Sequence, residues 1–352
     1  MKKWTFLIFL MAGIFRSPAQ DAGTLIQGGL SDGNKLVKAY LAPLNKAILF
    51  GLGQNNYQSF SLDDNHHWSL GLHTTFLMAP PEERVYDVNQ LGLETLEAED
   101  PHNSIAQTVL GDSTQYIYIQ SKRRDLFGRP LFKFKSPTGY GFPGAPVPYF
   151  NLAYSGQSAT YSLGFIPPLP IPTTGMTVYL LKGNAQWNLF SLLGWESGRN
   201  EWSAGLQYAF FHGMSRLDVK PDNVYTYLTV TGNLSGPYDN QKLLIDYHSL
   251  SVSTYLAHHL GRRWKIFAGG GITGGISFIR MKGIYPVYSS DPTGNFSIVA
   301  EDVEDPLDIS QEAAQWYLEG GIRADWKRFY LQLQGDYGQY YGGALQLGYK
   351  FK

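Results

Sequence analysis

Eight histidines in a chain without cysteine are the first place to look for chemistry. His66-His67 and His258-His259 are adjacent pairs, and His248 stands close to Ser249, Ser251 and Ser253. A metal centre needs several such side chains converging on one point, and a lipid hydrolase or acyltransferase needs a nucleophile, a base and an orienting group at one membrane depth. These residues fall in segments that alternate in character with a period of two, so neighbours point to opposite faces. Neither pair can chelate one ion from within a strand, and His248 does not reach the serines of its own strand. A cross-strand partner for His248 stays open. No catalytic, cofactor-binding or metal-binding residue is assigned, and the chain is expected not to be an enzyme.

The same parity sorts the charges near the C-terminus. Glu319, Arg323 and Asp325, then Gln332, Gln334 and Asp336, share one face, while Trp316, Leu318, Ile322 and Trp326, then Phe329, Leu331 and Leu333, share the other. Such a pattern suits a barrel with an apolar outer wall. Charges in a narrow lumen are costly unless paired, so these six form either a hydrogen-bonded ladder that shuts the lumen or the selectivity lining of a pore for a polar solute. Arg323 is within reach of Asp325, and Glu319 is expected to find its partner across strands.

A second charged group lies in the loop 122–147, where Arg123, Arg124, Arg129 and Lys133 mix with Phe127 and other aromatics. If external, it would meet the anionic head groups of lipopolysaccharide, or it packs on the rim as a solvated loop. A net charge of −1 offers no basic surface for nucleic acid.

The elements that must position these groups are strands. About fourteen are expected, with twelve the rival count, in an antiparallel transmembrane β-barrel over residues 46–352. Segments near 46–52, 114–121 and 222–232 are among the candidates, and 174–182 and 185–193 are read as two strands. Only 16% of residues are charged, against 15% aromatic with 39 glycines, which fits lipid contact, aromatic girdles and strand bends. Glycines 269–271 and 274–275 mark a bend or a close approach and lack the helix and lysine of a phosphate loop. Residues 1–20 read as a signal peptide cleaved near Gln20, which places the protein in the outer membrane. Residues 21–45 form a plug or hatch. Within it, Leu25, Ile26, Leu30, Leu36, Val37 and Tyr40 recur at helical spacing from Thr24 until Pro43 stops the run. The helix is expected in the periplasmic mouth of the lumen or on the membrane surface.

The boundary at Ala19-Gln20 with the helix after it, the segment Tyr86-Asp87-Val88-Asn89-Gln90-Leu91-Gly92-Leu93 and the ending Leu347-Gly348-Tyr349-Lys350-Phe351 resemble an uncharacterised family of Gram-negative outer-membrane β-barrels. That family is distantly similar to the FadL-type long-chain fatty-acid transporters. The resemblance implies a barrel in the outer membrane. The leading expectation is a passive channel for a small apolar or amphipathic solute, with outer-membrane lipid and lipopolysaccharide as surroundings. Two alternatives are a closed barrel that acts through its external loops and a lipid-modifying enzyme using His248 or His73.

Overall fold

The computed structural model describes residues 25–26, 29–55, 57–60, 66–171, 176–195, 198–220, 225–226, 230–232, 234–261, 263–290 and 298–351. The signal peptide assigned to residues 1–20, and Thr24, lie outside the described residues. Ten strands close into one antiparallel barrel: β1 (His67–Met78), β2 (Gly144–Ser155), β3 (Ala159–Ile171), β4 (Met176–Asn188), β5 (Asn200–Arg216), β6 (Lys242–Leu260), β7 (Trp264–Lys282), β8 (Leu307–Trp326), β9 (Phe329–Gly338) and β10 (Tyr341–Phe351). Each strand pairs with the next in the chain, and β10 returns to β1 with Leu347 opposite Leu72. Closure leaves no edge for unpaired backbone groups.

The count of fourteen is therefore corrected to ten. The two strands expected at 174–182 and 185–193 are, over the described residues, the single strand β4 with the turn after it, because Gly183 and Asn184 continue the ladder against β3 and β5 instead of breaking it. Residues 114–121 and 222–232 supply short strands outside the barrel. Residues 46–52 are helical.

Helix α1 spans Leu30–Gly53 and runs straight through Pro43. The expected stop at Pro43 and the expected strand after it both give way for one reason. Inside a closed barrel an isolated strand has no edge to pair with, whereas a helix satisfies its own backbone, and losing one N–H at Pro43 is the smaller cost. A barrel of about eight strands is filled by its own side chains. Ten leave room for α1, whose residues Leu49, Phe50 and Leu52 are fully buried. The fit is close at Gly53, where an added Cβ would lie 1.8 Å from Thr273 Oγ1.

The two ends of the barrel differ. Residues 156–158, 261–263 and 327–328 are short turns at the end where β10 finishes, joined there by 189–199, which includes the helical turn Leu189–Leu192. The other end carries the long connections 79–143, 217–241 and 283–306. From these a cap is built, including a sheet in which Leu96–Ala98, Tyr118–Ser121, Phe132–Lys135 and Tyr225–Thr226 lie side by side. Leu36, Val37 and Tyr40 of α1 share one hydrophobic core with Val109, Leu110, Ile119, Phe132 and Phe134 of the cap. The helix thus enters from the long-connection mouth, descends the lumen, and leads through residues 54–60 to β1. Its expected position at the opposite mouth, or on the membrane surface, is corrected accordingly.

Outward residues on the strands are apolar and exposed, among them Leu250, Val252, Leu256, Ile272, Trp316 and Leu318. Inward ones are largely polar. Pro167, Pro168 and Pro170 lie in β3, where a register shift between Ile166 and Leu169 absorbs the first two. Among the described residues no helix is long and apolar enough to cross a membrane.

Candidate functional site

Below α1, residues 54–55 and 57–60 lie in a lumen lined by charge. Inward parity on β8 and β9 delivers all six lining residues predicted from the sequence to this space, five of them buried and Asp325 half-buried. The Arg323 guanidinium sits 3.9 Å from the Tyr330 ring centroid, 3.3 Å from Asp325 Oδ2 and 3.4 Å from Gln332 Oε1. Asp325 also takes Lys350 Nζ at 2.5 Å.

Glu319 behaves differently. Its register partner across β8 and β9 is Asp336, a second carboxyl, so the cross-strand partners it finds are neutral donors and not a cation. The donors come instead from the plug and the walls: Tyr255 OH, Asn55 N at 3.1 Å and Gln334 Nε2 at 3.1 Å. Gln334 also donates to Asn55 Oδ1, and Gln332 Nε2 to the Tyr57 carbonyl at 3.3 Å. The lining residues thus serve as the seat of residues 55–57.

A second cluster escaped the sequence reading. Glu201 on β5 accepts Lys265 Nζ at 2.5 Å and His259 Nε2 at 2.7 Å on one oxygen, and Tyr57 OH at 2.8 Å on the other. Lys265, only 2% exposed in its side chain, also donates to Ser59 Oγ at 2.5 Å. Tyr57 stacks on Phe267 at 4.1 Å. Parity alone places Glu201, His259 and Lys265 on inward faces, but their convergence depends on β5, β6 and β7 being neighbours, which required the correct strand count. Higher up, Asn45 bonds Gln311 and Tyr247, and the carbonyls of Leu49 and Leu52 accept Ser249 Oγ and Gln207 Nε2. Gln54, fully buried just past the helix, has neither side-chain polar atom bonded among the described residues.

The predicted plug residues occupy the upper end. Leu25, Ile26, Leu36, Val37 and Tyr40 are buried, and Leu30 is half-buried at the start of α1. Here Asp32 joins helix to cap by accepting the backbone N–H groups of Glu94, Thr95 and Leu96 and the Thr95 hydroxyl, at 2.7–3.0 Å. Burial pushes its carboxyl up, but these donors together outweigh burial and hold it below the usual carboxylate range.

In the predicted basic loop, Arg124 pairs with Glu97 at 2.6 Å, Arg129 with Asp125 at 2.9 Å and Lys133 with Glu99 at 3.0 Å. Its charge is largely neutralised within the cap. Phe127 stands exposed at the tip, and Arg123 lies between, its backbone N–H on Ser121 Oγ. On the outer wall His248 Nδ1 meets Tyr208 OH at 2.8 Å, and its register neighbours are Phe210 and Ile276. Ser249, Ser251 and Ser253 face the lumen and are buried. His73 is buried too, stacked on Tyr149. Among the described residues no group of three or more His, Asp or Glu side chains is arranged to hold a metal.

A family model described as a family of unknown function (DUF6588) matches residues 1–351. The chain belongs to that family. The segment Tyr86–Leu93 lies in the cap, where Asp87 caps the short 3-10 helix Val88–Leu91 and accepts from Ser104 Oγ at 2.7 Å. No curated protein matches the chain. Among solved structures, the outer membrane protease OmpT from Escherichia coli is 9% identical with a TM-score of 0.30, the match covering 84% of this chain and 99% of that one. The attachment invasion locus protein Ail of Yersinia pestis is 9% identical at a TM-score of 0.27, covering 81% and 97%. The toluene transporter TodX of P. putida is 10% identical at 0.24, covering 82% and 90%. At such scores these likenesses carry nothing about what the chain does.

Proposed function

We propose that this protein is an outer-membrane β-barrel closed at rest by its own helix, acting at the cell surface through the cap. The apolar outer wall, the gathering of the long connections at one end of the barrel and the signal-like leader support the membrane assignment. One observation carries the closed state: α1 is both the filling of the lumen and part of the cap core, so withdrawing the plug would dismantle the cap. Exposing Leu36, Val37 and Tyr40 alone would cost about 1.5–3 kcal/mol each. This reading assigns no catalytic step.

A second reading keeps the FadL-type expectation of passive passage. It is supported by the polar lower lumen and by Gln54, whose unbonded side chain could trade protein contacts for those of a solute. The wall favours an amphipathic solute over a purely apolar one. Recording from the intact protein in planar bilayers separates the two. The closed barrel gives no conductance steps, and a variant lacking residues 30–53 that still migrates as a folded barrel conducts. Steady conductance from the intact chain with its cap folded would overturn the closed state.

A further inference from the structure

The outer wall carries a second feature that neither the plug nor the cap explains. Arg216, Lys242 and Lys282 end three consecutive strands at the long-connection mouth, and they stand directly opposite one another in register, Arg216 against Lys242 and Lys242 against Lys282. Their parity is that of Leu206, Leu250 and Ile272, so all three face outward, and all are exposed. Strands lie about 4.8 Å apart, which confines three cations to a row roughly 10 Å long.

Like charges directly opposite on adjacent strands destabilise a sheet. Several of the nearby acids are already engaged. Asp305 takes Lys282 at 2.5 Å, Asp218 takes Lys220 at 3.2 Å, and Asp246 takes both Arg280 and His212. Asp308 lies opposite Arg280 in register. Arg216 and Lys242 make no ion pair among the described residues. Arg216 and Lys242 therefore present unpaired positive charge sideways, away from the lumen and from the cap, with Lys282, held by Asp305, at the end of the row.

Its height identifies the anion. On β6 the apolar belt runs from Leu260 up to Leu250, and His248 with Tyr208, Phe210 and Phe278 forms an aromatic band above it. At about 3.3 Å per residue and a tilt near 40°, His248 to Leu260 spans roughly 30 Å of height, about the thickness of a hydrocarbon core. By the same conversion Lys242 stands roughly 15 Å above His248. The polar layer of a phospholipid leaflet is only about 5–8 Å deep. A phosphorylated head group must project further to meet the row.

We propose that Arg216, Lys242 and Lys282 form a binding site for phosphate carried on the saccharide head group of an outer-leaflet lipopolysaccharide. The site rests on the outer-membrane reading above and adds a specific ligand to it. Arg216 and Lys242 each contribute a modest, salt-screened attraction, and Lys282 adds a third once it exchanges Asp305 for the ligand.

The test uses the full chain reconstituted into phosphatidylcholine vesicles doped either with phosphorylated rough lipopolysaccharide or with phosphatidylglycerol. Bound lipid is counted by native mass spectrometry after mild extraction. Wild type should retain lipopolysaccharide, and the triple variant R216Q/K242Q/K282Q should retain it about a hundredfold less well. The charge-preserving R216K/K242R/K282R should keep it, and phosphatidylglycerol should distinguish none of the three. Equal retention of lipopolysaccharide by a triple glutamine variant that still shows heat-modifiable migration would overturn the site while leaving the barrel reading intact. Displacement by inorganic phosphate alone would overturn the head-group assignment. Failure of wild type to enter any vesicle would overturn the membrane reading and the site together.

Discussion

Along one continuous stretch of chain, residues 30–60, the surroundings change from carbon to charge. The helix α1 is wrapped by the core it shares with the cap and the upper barrel, where Leu36, Val37 and Tyr40 belong to one cluster with Val109, Ile119 and Phe134. Asn55, Tyr57 and Ser59 are instead gripped by Glu201, Lys265, Glu319, Gln332 and Gln334. Apolar burial is additive and non-directional, so it stabilises the plug and cap as one body without demanding a unique register. A buried ionic network contributes little net stability but fixes position, because any displacement strands a charge. The upper zone therefore holds the plug in, and the lower zone defines where it stops.

That contrast is most exposed to failure at Lys265. The single change Lys265→Met leaves Glu201 buried with only His259 and Tyr57, and is expected to cost about 3–5 kcal/mol, read as a fall in the urea midpoint for loss of heat-modifiable migration. Pairing it with Glu201→Gln should recover most of the loss. If the single and double variants were equally unstable, the cluster would be ordinary packing and the contrast would collapse.

In the upper zone no such rescue exists. Leu36→Ala should cost about 2–5 kcal/mol and raise protease sensitivity in the cap before the barrel itself is affected. Equal sensitivity of cap and barrel would mean that the helix is not the cap's core.

A smaller effect is expected at the joint between helix and cap. Asp32→Ala removes an acceptor for four donors and should cost about 1.5–3 kcal/mol. Since the folded state lowers the Asp32 pKa, its contribution is complete above the ordinary carboxylate value near 4 and is lost as pH falls through the folded value. Proteolysis of the cap should therefore increase on acidification in wild type, and the difference from Asp32→Asn should vanish at the acid limit. The least effect belongs to Arg124→Gln on the cap surface, where the exposed pair with Glu97 should count for less than about 1 kcal/mol.

Much of this architecture is legible in the sequence wherever parity alone decides. The alternation of Trp316, Leu318 and Ile322 with Glu319, Arg323 and Asp325 assigns the two faces of β8 without knowledge of its neighbours. What parity cannot supply is adjacency. Glu201 and Lys265 are separated by a whole strand, so their meeting waits on the topology, and Asp336 opposite Glu319 depends on a register set by the tight turn after Trp326. Pro43 misleads because propensity is local, while the closed wall around residues 44–53 is not. The segment 46–52 alternates well enough to be a strand, and only the absence of a free edge makes it helix.

The central claim, that α1 occupies the lumen of a closed barrel, is best tested by a crosslink. The chain has no cysteine, so N45C/Q311C introduces the only two thiols, at side chains whose polar atoms lie 3.0 Å apart in the structure. A short thiol crosslinker applied to isolated outer membranes should join them in the folded, heat-modifiable species and leave neither reactive to a bulky maleimide. Free labelling of the thiol at position 45 in that folded species, with no crosslink formed, would place the helix outside the lumen and contradict the account.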